Sequence, residues 1–199
     1  MPHLTQFFHI LLTTSFLFCN INTYAMEEFS IIAKVNQNVI TNYELQNRME
    51  AMEILIPKMK TVSRDEKTHY AIQSLIQDEL RADYAKKTNF KLTKEQKVEY
   101  TRMFVNDLQK KNVKNIKSFI QNYGDFVDSE VLWYAVIETA IRPKVQISQE
   151  LISDVSKKEP KLSRDKIKEM LVDQQIQGQS AQILESIRKI SIIEFAPES

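Results

Sequence analysis

The pattern of apolar and polar residues along this chain has two periods, which predict strands at the ends and helices between them. Residues 29–35 and 39–41 are short β-prone runs, separated by the turn-forming residues Asn36, Gln37 and Asn38. A third β-prone run covers residues 191–195. Because a lone hairpin is marginal in water, we predict that the closing strand pairs with the opening hairpin.

Between these strands, apolar residues recur every three or four positions, as on one face of an α-helix. Capping boxes, in which a Ser or Thr precedes Glu or Gln by three residues, predict helix starts at Thr41, Ser63 and Thr93. Pro57 should end or kink the first of these helices near Ile56, because proline disrupts helical hydrogen bonding.

The second half of the chain has the same kinds of signal. We expect a short helix over residues 115–123, which Gly124 stops, and then a helix that Asp128 caps. Ser148 caps a short helix, and Ser163 caps a long helix that ends near residue 190.

Residues 131–137 are seven consecutive apolar residues, so they cover every face of their helix. This helix should therefore be central, or should line a groove. The predicted fold class is mainly α with a small β-sheet, a multi-helix body whose N-terminal hairpin pairs with the C-terminal strand.

The first 25 residues have the pattern of a secretory signal peptide. They contain no Lys, Arg, Asp or Glu, and residues 4–19 are almost continuously apolar, which is short for a membrane span. An acceptable cleavage site follows at Ala25. Retention as an anchor and a lipoprotein signal at Cys19 remain alternatives, although Phe18 is bulky for the latter. Cleavage would leave a periplasmic chain, 26–199, without cysteine.

Composition and charge exclude several functions. The net charge of +1 gives no bulk attraction to nucleic acid or anionic lipid, and two distant glycines cannot form a phosphate loop. No zinc, calcium or nucleotide motif is present, so we expect no cofactor and no metal. An enzyme centred on His69 is the remaining catalytic alternative, and the sequence gives it little support. The adjacent carboxylates Asp78 and Glu79 should point apart and be solvated.

Methionines and aromatic residues are the candidate binding residues. Met is flexible and polarisable, so a methionine stripe on the first long helix suits a surface that accepts many partners. Core packing is the alternative for the same residues. The candidates for contact with such partners are Met49, Met52, Ile56, Met59, Phe104, Tyr123, Trp133 and Tyr134.

Four segments, taken in order, resemble the SurA-type periplasmic chaperones. Residues 31–45 (IIAKVNQNVITNYEL) resemble the opening strand and helix start of that family, and residues 71–90 resemble its next helix. Residues 141–148 (IRPKVQIS) resemble the exit from its helical body, and residues 190–195 resemble its closing strand. Asn89 stands where the family usually has glycine.

The chain departs from this family in one respect. Members usually place parvulin-type prolyl isomerase domains, each about a hundred residues long, before the C-terminal helix, whereas about fifteen residues separate Ser148 from Ser163 here. The resemblance therefore implies a chaperone core alone, in which a helical body over 29–156 is completed by a helix and strand over 163–196.

What the resemblance implies is an ATP-independent holdase for unfolded outer-membrane or secreted polypeptides, without isomerase activity. The alternative is an envelope structural or adaptor protein that binds a fixed folded partner, with a homodimer possible by exchange of a helical arm.

Overall fold

The computed structural model describes residues 29–197 and confirms a mainly α fold with a small antiparallel sheet. The signal-peptide prediction lies outside the described residues. The strands are β1 (Ile31–Val35), β2 (Asn38–Thr41) and β3 (Ile193–Phe195). The helices are α1 (Asn42–Leu55), α2 (Arg64–Lys87), α3 (Lys94–Lys110), α4 (Ile116–Asn122), α5 (Gly124–Val136), α6 (Gln149–Lys158) and α7 (Arg164–Ile190).

The sheet joins the two ends of the described chain, as the sequence predicts. Its strand order is β2-β1-β3, and both pairings are antiparallel. Ala33 pairs with Ile40 on one side and with Phe195 on the other. Because strand side chains alternate between faces, Ala33, Val35 and Ile40 point to the interior, and all three are buried.

The β1–β2 turn is held by one asparagine. Asn36 has a φ of 56°, in the left-handed region that Asn tolerates better than other residues with a side chain. Its backbone N–H donates to the carbonyl of Ile192 at 2.7 Å, and its side-chain Oδ1 accepts from the N–H of Ile192 at 2.9 Å. Its Nδ2 donates to the carboxylate of Asp83 on α2. The turn therefore ties the hairpin to β3 and to a core helix.

Local capping fixes most helix starts where the sequence predicts them. Thr41 and Thr93 form complete capping boxes, and the hydroxyls of Ser63, Ser148 and Ser163 each accept from a backbone N–H in the first turn of their helix. These bonds satisfy backbone N–H donors that have no partner within the helix. Each helix start can therefore be predicted from a few adjacent residues of the sequence.

The prediction for the α4–α5 junction was wrong. Gly124 does not stop a helix but begins α5, and Asp128 lies within that helix rather than capping it. The described glycines have no positive φ, so Gly124 does not form the left-handed cap that would end α4. The break falls at Tyr123, whose backbone is non-helical at φ −122° and ψ 40°.

Helix α5 is central, as its run of apolar residues predicts. Trp133 and Val136 belong to a cluster shared with the sheet, α2 and α7, whereas Val127 and Val131 belong to a second cluster with α1, α3 and α4. A π-helical turn over Ile137–Ile141 extends α5 as far as Arg142 and Pro143, where the chain leaves the helix.

A third, smaller hydrophobic cluster joins α6 to the start of α7, and only residues 159–163 lie between those two helices. An isomerase domain is therefore absent at that position.

Candidate functional site

A half-enclosed cleft opens where α1, α2 and the start of α5 meet. Its volume is about 300 Å³, at the lower end of the range of ligand pockets. The apolar side chains that line it include Leu75, Tyr123, Phe126 and Leu132. These four are buried or half-buried, so the cleft presents a limited apolar surface that is large enough for one or two side chains.

A network of charges holds the cleft walls together. The side chain of Arg48 on α1 is only 5% exposed, and its guanidinium donates to Asp78 at 2.5 Å and to Ser74 at 2.6 Å, both on α2. The same guanidinium lies over the ring of Phe126 on α5, 4.7 Å from its centroid. Such paired and stacked contacts are geometrically specific, so they fix the three helices relative to one another.

A second arginine extends this network to α5. Arg81 Nη1 donates to Asp78 at 3.1 Å and to Glu130 at 2.6 Å, and its guanidinium lies 5.5 Å from the ring centroid of Trp133. Asp78 therefore accepts from two arginines, and its side chain is only 11% exposed. The positive charge of Arg48 is compensated within the protein and is not offered to a ligand.

The remaining charged lining of the cleft is acidic. Glu44, Glu79 and Asp125 line it and have no cationic partner within residues 29–197, whereas Asp128 pairs with Lys97 at 2.9 Å. Burial raises the pKa of the Glu79 carboxyl; the hydrogen bond donated by Asn38 opposes this effect, and neighbouring carboxylates add to it. The charges around Glu79 therefore make this part of the cleft electronegative.

Of the eight residues predicted to contact clients, Tyr123 lines the cleft. Its hydroxyl donates to Glu50 at 3.3 Å, and burial together with that carboxylate raises its pKa. Ile56 is exposed just after α1, at 47%, but it is not among the cleft residues.

The other six candidates lie in packing positions. Met59 and Trp133 are buried, at 7% and 5% exposure. Met49 and Met52 are half-buried, and Met49 Sδ accepts from the hydroxyl of Thr68 on α2. Phe104 and Tyr134 are half-buried in edge-to-face contacts with Phe126 and Tyr100, respectively. The structure does not bring the eight together, and client contact at these positions stays a prediction.

Sequence reasoning missed most of the cleft. Asp78 and Glu79 were expected to be solvated, yet both are half-buried and both line the cleft. Asp78 pairs with Arg48 on α1, and Glu79 accepts from Asn38 on β2, so neighbours packed on both sides of α2 bury both carboxylates. Arg48 is a sequence signal that could have indicated a polar site on α1. It lies three residues after Leu45 and three before Ala51, and therefore on the helix face that packs against the core.

The structure also describes the surroundings of His69 and of the acidic side chains within residues 29–197. His69 is exposed and contacts Tyr70 ring edge to ring face. No group of three or more His, Cys, Asp or Glu side chains within residues 29–197 is arranged to hold a metal ion. Over the same range, no helix combines the length and apolar character needed to cross a membrane.

Comparison with known protein families gives one match. Residues 3–122 match the family described as the SurA-like N-terminal domain. This match covers more than half of the chain and includes β1, β2 and α1 to α4, and thus two walls of the cleft. No curated protein matches the chain.

Proposed function

Because the chain belongs to the family of SurA-like N-terminal domains, we propose that it is an ATP-independent periplasmic holdase for unfolded outer-membrane or secreted polypeptides. Family membership supports a chaperone-related role and, in general terms, peptide or protein binding. The finer proposal is that the α1–α2–α5 cleft is the surface that holds a client.

The observation that carries this proposal is the combination of apolar lining and fixed walls in the cleft. Leu75, Phe126 and Leu132 offer a small apolar surface, and the Arg48–Asp78 pair keeps the helices apart at a set distance. A cleft that takes one or two side chains binds a flexible segment weakly, because the segment loses conformational entropy on binding. Weak binding allows release when the client folds, without nucleotide.

The periplasmic location rests on the sequence. Residues 1–25 have the apolar centre and small-residue cleavage site of a secretory signal, and residues 26–199 contain no cysteine, so the exported chain needs no disulfide.

The proposed holdase has no catalytic activity of its own. Purified protein should therefore leave the rate of prolyl isomerisation of a test peptide unchanged, and any acceleration would contradict this part of the proposal.

One observation favours a second candidate, an adaptor for a folded partner. Phe29 and Tyr43 are 73% and 57% exposed, and their ring centroids are 6.1 Å apart at the start of the sheet. Ile31 and Val39 are also exposed nearby. Exposed apolar patches of this kind often mark protein interfaces. An adaptor would bind one folded protein through this patch and would have no affinity for unfolded chains.

The test of the holdase proposal is aggregation of a denatured outer-membrane β-barrel in the presence of purified residues 26–199, without nucleotide. Near-stoichiometric protein should suppress light scattering. Ala82→Trp, which fills the cleft from an exposed position on α2, should abolish most of this suppression. Ala181→Trp is the matched control, since Ala181 is exposed on α7 and lies outside the cleft.

Circular dichroism and thermal melting should show that both tryptophan variants fold like the parent protein. Equal suppression of aggregation by the two variants would show that the cleft does not hold the client. No suppression by well-folded parent protein would favour the adaptor.

A further inference from the structure

The cleft differs in charge from the molecule as a whole. The chain has a net charge of +1, so the protein has little bulk field of either sign. The cleft is lined by five carboxylates, Glu44, Asp78, Glu79, Asp125 and Asp128, and by one arginine. Because Arg48 is buried and paired with Asp78, a ligand in the cleft meets mainly acidic groups.

Three of these carboxylates are available to a ligand. Glu44 accepts from Thr41, and Glu79 accepts from Asn38, but these bonds come from neutral groups and leave the negative charge uncompensated. Asp125 is exposed in the first turn of α5. That helix end has a partial positive charge of about half a unit, which one carboxylate more than offsets.

The acidic groups lie beside apolar and aromatic ones. Tyr123 and Leu132 line the same cleft as Asp125 and Glu79. A lysine or arginine side chain matches this arrangement, because its aliphatic stem can lie on apolar surface while its charged head reaches the carboxylates. The ring of Tyr123 adds a favourable face for a cation.

We propose that the α1–α2–α5 cleft selects client segments in which a lysine or arginine is adjacent to an apolar side chain. The inference rests on the holdase proposal and adds a client preference to it. Segments with Asp or Glu at the same position are rejected, since like charges in a half-enclosed site repel more strongly than on an open surface. The cleft thereby distinguishes among unfolded segments of equal hydrophobicity.

The test is binding of three unstructured peptides that carry an uncharged fluorophore, measured by anisotropy with purified residues 26–199. The peptides share one sequence with apolar residues around a central position, which is Lys, Gln or Glu. At low salt, the Lys peptide should bind about fivefold more tightly than the Gln peptide, as expected for one partly dehydrated ion pair. The Glu peptide should bind more weakly than both, and the differences should shrink at about 0.5 M salt.

Charge reversal locates the preference. Asp125→Lys should remove the advantage of the Lys peptide, and Glu79→Gln should reduce it. Asp165→Lys is the matched control, because Asp165 is likewise exposed in the first turn of a helix but lies on α7, outside the cleft. This control changes the net charge as much as Asp125→Lys does and should leave the preference intact.

The outcomes separate the two proposals. Equal binding of the Lys and Gln peptides overturns the charge preference while leaving the holdase in place. A preference that Asp165→Lys reduces as much as Asp125→Lys also overturns it, since the attraction would then be a property of the whole surface. If no peptide binds and barrel aggregation is not suppressed, the holdase proposal fails, and the charge preference fails with it.

Discussion

At the scale of single residues, Arg48 explains how a polar cleft exists within a small helical protein. A buried arginine is costly unless its charge is paired, and here Asp78, Ser74 and the ring of Phe126 surround it. The same pairing prevents Arg48 from neutralising Glu44 and Glu79, which therefore give the cleft its acidic character. Arg48 thus supports the cleft walls, while the carboxylates that it does not pair with determine the sign of the charge in the cleft.

Glu79 allows a prediction about pH. Burial raises its pKa in the folded protein, so ionisation is less favourable there than in the unfolded chain. The resulting penalty is absent below about pH 4, where the carboxyl is protonated in both states. It grows as the pH rises through the unfolded and then the folded pKa. Glu79→Gln keeps the acceptor for Asn38 and should raise the melting temperature at pH 7 by about 1–2 °C, a figure discounted for partial exposure.

Melting temperatures of parent and variant, measured across pH 3 to 8, check this sign. The two curves should converge toward acid and separate toward neutral pH. Glu169→Gln, at an exposed position on α7, is the control and should show no such divergence. A stabilisation by Glu79→Gln that is largest at acid pH would contradict the account.

At the scale of elements, the two ends of the described part of the chain meet because three short strands and one turn residue act together. Helix starts were predictable since a capping box is complete within four residues, as at Thr41 and Thr93. The pairing of β3 with β1 was predictable because an isolated hairpin needs a third strand. The α4–α5 junction was not, because its break depends on the backbone of Tyr123 rather than on the glycine beside it.

Asn36 provides the prediction at this scale. Asn36→Gly keeps the left-handed backbone but loses the side-chain bonds to Ile192 and Asp83, so it should lower the free energy of unfolding by about 1–2 kcal/mol. Asn36→Ala loses the same bonds and also places a Cβ in the left-handed region, which should cost about 1 kcal/mol more. Urea denaturation measures both. Equal stability of the two variants would show that the left-handed backbone conformation at position 36 does not affect the free energy of unfolding.

At the scale of the whole molecule, the cleft is a property of three helices that are distant in sequence. The sequence predicted α1, α2 and the central position of α5, but not which faces of them remain open. The methionine stripe of α1 was a reasonable candidate, yet Met49 contacts α2, while Glu44 and Arg48 line the cleft. Helical periodicity shows that a helix has an inner face but does not distinguish packing against a neighbour from lining a cavity.

The absence of cysteine from residues 26–199 makes the central claim directly testable. A photoreactive benzophenone can be attached through a single introduced cysteine at Ala82 or Ser129, both in the cleft, or at Ala181 on α7. Each labelled protein is mixed with an unfolded outer-membrane β-barrel and illuminated. We expect cross-links from positions 82 and 129 that excess unlabelled client suppresses, and few from position 181. Cross-linking that is equal at all three positions, or confined to position 181, would contradict client binding in the cleft.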